Sequence, residues 1–382
     1  MTWRTRFTTW LETRWVNPAY SGWLLTCLAV FLFIAATNTL AGWLYVMSGA
    51  MLALLLVAAI MSYRNLRSLQ VRRVPVDPVT VGDPLQISFA LMNSTKTPKG
   101  LMQVVDQLPP DLGEAKAHTV EIVPAQGREV VSYDYPTERR GIYRWQNLVV
   151  RTAAPLGLFW RQQTYGQRTT AIVYPQILPI ARCPLIDSVG RERSLQVLDN
   201  RRAKAANEGV TRSLRPYRWG DPMRMIHWST SARHGELRVR ELEMMSSGRQ
   251  VLIAIDSAMP WDTELFEQAV TAATSLYFYG VKQQLNISLW TAGSGQLRGA
   301  QQVLRVMAGV MPGEAPQAES MPELPLIWLT QNINSLDTLP AGSRWMLWQP
   351  AGQVVLNVPP LAKGMVVEHD RPLGEQLQGQ LT

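Results

Sequence analysis

Two long uncharged runs near the N-terminus constrain the fold more than any other feature of the sequence. Residues 21–40 and 41–63 contain no Asp, Glu, Lys or Arg. Each run has about the 20 residues that a helix needs to cross a bilayer core. Asn38 and Gly42 interrupt the apolar pattern and predict a tight turn. We therefore predict a transmembrane helical hairpin within residues 21–70; the alternative is a buried hairpin in a soluble core.

Arginines flank the uncharged runs on both sides. Arg14 precedes the first run, Arg64 and Arg67 follow the second, and the turn between the runs carries no charge. The positive-inside rule then places both termini and the soluble domains in the cytoplasm. We expect a two-pass protein of the inner (plasma) membrane of a bacterium. In residues 1–20, Arg mixes with Trp and Phe, which favours an N-terminal interfacial segment.

After the hairpin, the sequence has the alternation that is typical of β-strands. Apolar and polar residues alternate from Leu85 to Leu91, which is the period of a half-buried strand. Further short strands are predicted at 101–107, 119–124, 129–135, 143–151 and 170–174. Several short strands separated by turn residues indicate a β-sandwich. We assign it to residues 71–175 and expect an immunoglobulin-like architecture.

The C-terminal region, residues 250–382, predicts an α/β domain. A buried strand at 250–256 precedes an amphipathic helix at 264–280, and this pattern opens a doubly wound sheet. Further strands are predicted at 286–290, 326–330, 344–348 and 365–368, with a helix at 300–310 and a loop at 292–299. Alternating strands and helices imply a parallel sheet.

Between these domains, residues 176–249 are interpreted as an exposed linker followed by a dense basic and aromatic segment. Asp221 followed by Pro222 predicts a helix start, with Asp as the N-cap. Gly235 is placed to end that helix, and residues 237–241 predict a strand. One interpretation of the segment is a cationic, aromatic-lined interaction surface. The other is structural: Arg215 or Arg224 pairs with Asp221 and pins the connection between domains.

The segment resembles the signature of the domain of unknown function 58 family. The residues that carry the resemblance run in the order Arg215-x-Tyr217-x-x-Gly220-Asp221-x-x-Arg224-x-Ile226-x-Trp228-x-x-Ser231-Ala232-Arg233. In that family, Asp is also common at the position of His227. The upstream stretches Arg140-Gly141-x-Tyr143 and Pro155-x-Gly157-Leu158-Phe159 are similar to the same family.

This resemblance implies an architecture and a partner. The architecture is a membrane hairpin, a β-sandwich and a von Willebrand factor A-like α/β domain. The implied partner is a MoxR-type AAA+ ATPase, and the implied role is a scaffold or adaptor in a chaperone-like or envelope-related system. The expected contact residues are Arg215, Tyr217, Gly220, Asp221, Arg224, Trp228, Ala232 and Arg233.

Von Willebrand A domains often bind Mg²⁺ through an Asp-x-Ser-x-Ser motif after the first strand. Here Asp256 is present, but Ala258 and Pro260 replace the two serines. Asp256 is thus the single candidate metal ligand, and we expect no cofactor, because Mg²⁺ requires several oxygen ligands. Otherwise, Asp256 would cap the following helix or accept hydrogen bonds from loop amides.

Other function classes have less support in the sequence. The net charge of +8 comes without a nucleic-acid-binding motif, so we expect no nucleic-acid partner. No pattern of catalytic His or Cys residues is visible, so we expect a protein that is not an enzyme. The alternatives to a scaffold are a metal-dependent binding module of von Willebrand A type and a hydrolase whose catalytic groups meet only in the fold.

Overall fold

In the computed structural model, the chain separates into two units at residue 175. Each unit has a hydrophobic core of its own, and each is described by itself. The structure describes residues 12, 14–188, 211–219, 221, 223, 226–242, 250–317, 324–349, 363–368 and 370–379. Most of the predicted N-terminal interfacial segment lies outside these residues.

The first unit begins with two long apolar helices, α1 (Tyr20–Thr39) and α2 (Gly42–Leu66). Both helices are long enough and apolar enough to cross a membrane, which is compatible with a membrane-anchored protein. The turn between them is tighter than predicted, because the helix continues to Thr39 and Leu40 takes a left-handed φ of 54°.

Small residues bring the two helices together. On α1 the buried positions are Gly22, Ala29 and Ala36, spaced seven residues apart. The hydroxyl of Ser48 on α2 donates a hydrogen bond of 2.8 Å to the carbonyl oxygen of Ala29. Many large side chains point outward, and Val46 for example is 72% exposed. Small residues in the interface and large apolar residues outside are typical of packed membrane helices.

The rest of the first unit is sheet-rich. Its strands are β1 (Asn17–Pro18), β2 (Leu69–Arg73), β3 (Val79–Thr80), β4 (Pro84–Asn93), β5 (Lys99–Asp106), β6 (Ala117–Val123), β7 (Arg128–Pro136), β8 (Gly141–Thr152) and β9 (Phe159–Tyr174). Within the described residues, one sheet has the order β1-β9-β8-β5-β6, with β3 on β9, and the other the order β2-β4-β7. Inward-facing residues of both sheets form one shared core.

The predicted strands of this region are confirmed as β4 to β8 and the end of β9. Two parts were missed. Strand β2 begins at Leu69, among residues that were assigned to the hairpin. Strand β9 begins at Phe159 and not at residue 170. Its first part was not predicted because residues 159–169 are mostly polar and only partly buried, and therefore lack the apolar alternation of a half-buried strand.

A buried ion pair lies in the core of the first unit. Both oxygens of the Asp106 carboxylate accept hydrogen bonds from the guanidinium of Arg73. Tyr133 Oη donates to the same carboxylate at 3.0 Å, and Trp145 Nε1 donates at 2.9 Å. Burial, followed by the nearby Asp106 charge, raises the pKa of the Tyr133 hydroxyl. This hydroxyl therefore remains a donor, and the carboxylate is fully satisfied although Asp106 is buried.

A lysine from the sheet satisfies the C-terminal end of α2. Lys99, the first residue of β5, is buried, and its ammonium donates to the carbonyl oxygens of Asn65, at 2.9 Å, and Arg67. The last carbonyls of a helix have no partner within the helix and carry partial negative charge. An ammonium group at this end therefore both supplies hydrogen bonds and complements the helix dipole. Burial lowers the pKa of Lys99.

Further contacts connect both helices to the loop between β8 and β9. On α2, Ser62 Oγ donates to the carbonyl oxygen of Ala154 at 3.0 Å. At the start of α1, the backbone N–H of Ala19 donates to the carbonyl oxygen of Leu158 at 2.8 Å. A Cβ on Gly22 would lie 2.2 Å from that same oxygen, so this close approach requires glycine.

The second unit contains a mixed sheet. Its strands are β10 (Thr211–Pro216), β11 (Arg238–Leu242), β12 (Gln250–Ile255), β13 (Asn286–Thr291), β14 (Gly295–Leu297), β15 (Leu326–Thr330), β16 (Arg344–Trp348) and β17 (Gly364–Val367). In the described residues, the large sheet has the order β14-β13-β12-β15-β16-β17. Pairing is parallel from β13 to β17, whereas β14 pairs antiparallel with β13.

Both faces of this sheet are covered. The described helices of the second unit are α3 (Trp228–His234), α4 (Thr263–Lys282), α5 (Ala300–Gly309), a 3₁₀ helix (Ile333–Thr338) and α6 (Leu373–Gln376). Helices α4 and α5 pack on one face. On the other face, Trp290, Trp328 and Trp345 form a second apolar cluster with the 3₁₀ helix. Near-continuous apolar strands, as in β12, are expected where both faces are buried.

Two predictions for the second unit were wrong. The start of the predicted linker is not exposed, because Ile180, Cys183 and Ile186 are buried in the core with α4. The segment 292–299, predicted as a loop, contains the short edge strand β14. A three-residue strand next to glycines gives too few alternating positions for a periodic signal.

Replacing Asp106 with Asn should destabilise the first unit. The substitution leaves the buried Arg73 guanidinium without its counter-charge, and breaking one partner of a buried ion pair costs about 3–5 kcal/mol. Thermal unfolding of the full-length protein in detergent measures the effect. The control is Asp134→Asn, which removes an exposed carboxylate on β7. Equal unfolding temperatures for the two variants would contradict the role assigned to Asp106.

Candidate functional site

The signature segment forms a two-stranded ribbon with an insertion. Strands β10 and β11 pair antiparallel, with Arg215 opposite Val239. The backbone N–H of Tyr217 donates to the carbonyl oxygen of Leu237 at 2.8 Å, and that of His227 donates to the carbonyl oxygen of Arg238 at the same distance. Both of these hydrogen bonds connect the intervening chain to residues at or just before the start of β11; we call residues 217–237 the insertion and describe only 217–219, 221, 223 and 226–237 of it.

An arginine–aspartate pair closes the first part of the insertion. Arg215 Nη1 and Nη2 each donate to one oxygen of Asp221, and both distances are 2.7 Å. The backbone N–H of Arg218 donates to the same carboxylate at 2.9 Å. These hydrogen bonds, led by that of Arg215, hold the pKa of the Asp221 carboxyl below its ordinary value. A bidentate guanidinium–carboxylate pair fixes orientation as well as distance, so it holds Arg215, Arg218 and Asp221 in a defined arrangement.

The prediction that Asp221 caps a helix stays a prediction, because residues 222, 224 and 225 lie outside the described residues. The described helix of the insertion, α3, begins at Trp228, and its N-cap is His227. The carboxylate of Asp221 is already used by Arg215 and the Arg218 N–H. Ile226, expected to be helical, instead forms a β-bridge with Val239. The predicted end at Gly235 is confirmed: Gly235 has φ 72° and donates its N–H to Ser231.

His227 caps α3 with a ring nitrogen. The Nδ1 atom accepts from the backbone N–H of Thr230 at 3.3 Å and lies 2.8 Å from Thr230 Oγ1. A backbone N–H can only donate, so Nδ1 is the acceptor and the ring proton is on Nε2. An Asp side chain would supply an oxygen acceptor for the same N–H. This equivalence gives a physical reason why His can replace Asp at this position.

The signature residues divide into a supporting group and an exposed group. Arg215, Tyr217 and Asp221 are half-buried and shape the loop, whereas Trp228, Ala232 and Arg233 are exposed. Gly220 and Arg224 lie outside the described residues. Trp219, which with Trp228 belongs to the predicted aromatic-lined surface, is 100% exposed. Met223, which sequence reasoning missed, is 71% exposed.

Asp256 lies at the carboxyl end of the central strand β12, as predicted. Its Oδ2 accepts a hydrogen bond of 2.8 Å from Thr330 Oγ1, at the end of the neighbouring strand β15. Burial raises the pKa of the Asp256 carboxyl, partly offset by this hydrogen bond. Asp256 does not cap α4, because Asp262 accepts from the N–H groups of Glu264 and Leu265. Sequence reasoning missed Thr330, although adjacent parallel strands end at one sheet edge.

The surroundings of Asp256 have few metal ligands. Across the described residues, no group of three or more His, Cys, Asp or Glu side chains is placed to hold a metal ion. The Ser257 hydroxyl is buried and accepts from the backbone N–H of Ala292 at 3.0 Å. The site is therefore organised around hydrogen bonds within the fold, with Asp256 bonded to Thr330.

The cap at His227 gives a testable prediction. His227→Leu should remove one of the two acceptors of the Thr230 amide, leaving the His227 carbonyl oxygen at 3.1 Å. Hydrogen exchange at Thr230 should then speed up about fivefold, since losing an N-cap costs about 1 kcal/mol. His227→Asp should keep exchange near that of the wild type. His234→Leu, in the last turn of α3, is the matched control and should have no effect at Thr230. Equal exchange in His227→Leu and His227→Asp would show that Nδ1 does not cap the helix.

Asp256 gives a prediction of pH dependence. Its folded-state pKa is raised, so its stabilising contribution is complete below the unfolded-state pKa and is lost as pH rises through the folded-state pKa. Asn cannot ionise and can still accept from Thr330. The unfolding temperature of Asp256→Asn should therefore rise relative to that of the wild type as pH increases above about 4, the ordinary pKa of an Asp side chain. The exposed Asp370→Asn is the control, and a pH-independent loss for Asp256→Asn would contradict the prediction.

Comparison with solved structures finds weak and partial likeness. The CARDB domain of the PF1109 protein from Pyrococcus furiosus, in complex with di-metal ions, is 14% identical, with a TM-score of 0.20. That match covers 28% of this chain and 85% of the domain. Red sea bream transglutaminase is 17% identical over 28% of this chain and 15% of its own, also with a TM-score of 0.20. At these TM-scores the likeness supports no conclusion about this chain.

Sequence comparison is more informative. The chain is 24% identical over 294 residues to the uncharacterized protein YeaD of Bacillus subtilis strain 168, which covers 74% of this chain and 71% of YeaD. Residues 213–322 match the family described as "Protein of unknown function DUF58". That match contains the insertion, the Arg215–Asp221 pair and the sheet edge at Asp256. These two matches support the resemblance to the DUF58 family, whose model covers residues 213–322 of this chain.

Proposed function

We propose that this protein is a membrane-tethered scaffold or adaptor whose insertion binds a MoxR-type AAA+ ATPase in a chaperone-like or envelope-related system. The observation that carries the proposal is Trp219. Its side chain is 100% exposed on a loop that the Arg215–Asp221 pair holds in shape. The choice of partner comes from the family resemblance.

An exposed Trp on a shaped loop is well suited to binding. Trp and Arg are enriched among the interface residues that contribute most to binding free energy. Arg218 and Arg233 are exposed on the same insertion, and they favour a partner surface that carries carboxylates. Because the loop is already ordered, binding loses less conformational entropy than it would with a flexible loop.

The proposal includes a location. In this proposal the helical hairpin is the anchor in a bacterial inner membrane. The arginines beside it support a cytoplasmic location for both termini and the soluble units. A partner that uses ATP would meet the insertion there. The finer fold assignments belong to the same proposal: an immunoglobulin-like sandwich in the first unit and a von Willebrand factor A-like domain in the second. No catalytic step is assigned to this chain.

Affinity purification tests the partner and the surface together. Tagged full-length protein is purified from gently solubilised membranes with a non-hydrolysable ATP analogue, and bound proteins are identified by mass spectrometry. We expect the wild type to recover an AAA+ ATPase. Trp219→Ser should reduce recovery about 30-fold, because losing a central interface residue costs about 2 kcal/mol.

The control is Met311→Ser, which removes an exposed apolar side chain elsewhere in the second unit. It should leave recovery unchanged. All variants should unfold at the same temperature, since Trp219 contributes to the surface and not to the core. Equal recovery by wild type and Trp219→Ser would contradict the assigned surface. Failure of folded, membrane-bound wild type to recover any AAA+ ATPase would contradict the partner.

A further inference from the structure

A cavity of about 880 Å³ lies in the first unit, at the C-terminal end of α2. Its walls are the last turns of α2, the loop between β4 and β5, and the start of the loop after β8. This volume is within the roughly 300–1,000 Å³ that is typical of small-molecule sites. A helix that crosses a membrane would place this end, with Arg64 in its last turn, at the boundary between lipid and water.

The charged side chains that line the cavity are all basic. They are Arg64, Arg67, Lys96 and Lys99, and no Asp or Glu is among the lining residues. Arg64, Arg67 and Lys96 are exposed, and none is in an ion pair with another described residue. Three unpaired cations around one concave surface create a site that favours an anion.

Lys99 offsets the negative charge at the C-terminal end of α2, which would otherwise disfavour an anion in the cavity. The C-terminal end of a helix carries partial negative charge and would repel a phosphate. The ammonium of Lys99 donates hydrogen bonds to the carbonyl oxygens of Asn65 and Arg67. The end of α2 therefore contributes less negative potential to the cavity. The other basic groups are then left to attract a ligand.

The cavity also has an apolar side. Ile60 and Met61 on α2 are about half exposed, at 49% and 47%. Leu101 on β5 is 61% exposed, and its backbone has a φ of 50°. A small hydrated anion would make no favourable contact with these apolar side chains. A molecule with an anionic group beside hydrocarbon would contact the basic and the apolar sides at the same time.

We propose that this cavity binds the phosphate-bearing headgroup of an anionic phospholipid. Arg64, Arg67 and Lys96 attract the phosphate, and Ile60, Met61 and Leu101 contact the glycerol and the first acyl carbons. The inference rests on the membrane-anchoring part of the proposed function and is independent of the ATPase partner. A free phosphate ion shares the charge chemistry but not the apolar contacts.

Native mass spectrometry of the full-length protein in detergent counts bound ligand directly. The probes are dihexanoyl-phosphatidylglycerol, dihexanoyl-phosphatidylcholine and inorganic phosphate. The triple variant Arg64→Gln/Arg67→Gln/Lys96→Gln is compared with Arg128→Gln/Arg144→Gln/Arg168→Gln, which removes the same charge from exposed positions of the first unit. Lys96→Gln alone changes only an exposed loop residue and guards against misfolding of the triple variant.

We expect phosphatidylglycerol to bind more tightly than phosphatidylcholine, whose choline cation the basic groups repel. Each basic residue near an anionic surface contributes about fivefold, so the first triple variant should bind roughly 100-fold more weakly and Lys96→Gln about fivefold more weakly. The control triple variant should bind as the wild type does. Inorganic phosphate at equal concentration should not displace the lipid.

Three results would overturn the inference. Equal losses in the two triple variants would mean diffuse attraction, and equal binding of both lipids would exclude recognition of an anionic headgroup. Displacement by inorganic phosphate would assign the cavity to a soluble anion. Membrane anchoring is tested separately by carbonate extraction of membranes, and the ATPase partner by its recovery in affinity purification. Lipid binding in detergent requires neither, so its failure is distinguishable from theirs.

Discussion

The end of α2 needs hydrogen-bond donors for its last carbonyls, and the geometry of the first unit depends on how they are supplied. The donor is Lys99, from the first position of β5. Asn65 adds a second connection, because its side-chain amide donates to Gly100 O at 3.0 Å and to Thr152 Oγ1 at 3.1 Å. The helix end is therefore completed by the sheet, and the two cannot be positioned independently.

In the insertion of the second unit, polar groups are likewise satisfied by hydrogen-bond partners within the fold. There, the carboxylate of Asp221 accepts from a side chain, Arg215, and from a backbone N–H. The ring of His227 accepts from another backbone N–H. With these groups satisfied internally, the loop keeps its shape while Trp219 remains in water. The proposed binding surface and the structural clasp thus lie on neighbouring residues, which is why sequence patterns alone could not separate them.

Long or periodic segments were predicted well from the sequence. The hairpin helices, β4 to β8, α4 and the strands from β12 to β17, except β14, all have lengths or apolar periods that are specific to one structure. Elements defined by tertiary partners were not predicted. The first half of β9 is polar and β14 has three residues. Ile180, Cys183, Leu185 and Ile186 are buried through their packing in the core that includes α4. In the candidate site, Asp221 was identified, but its bond to Arg215 competed with a plausible capping role. No local signal favours one over the other, because both use the same carboxylate.

Tying both helices to one loop of the first unit has a mechanical consequence. α1 is bound to the β8–β9 loop through Ala19 and Gly22, and α2 through Ser62. A hairpin held at two points cannot act as a flexible tether, so the first unit would turn as its helices turn. Membrane helices tilt to match the thickness of the bilayer around them. In a membrane, the two sheets of the first unit would therefore incline with local bilayer thickness, and lipid composition would set the angle that they make with the membrane surface.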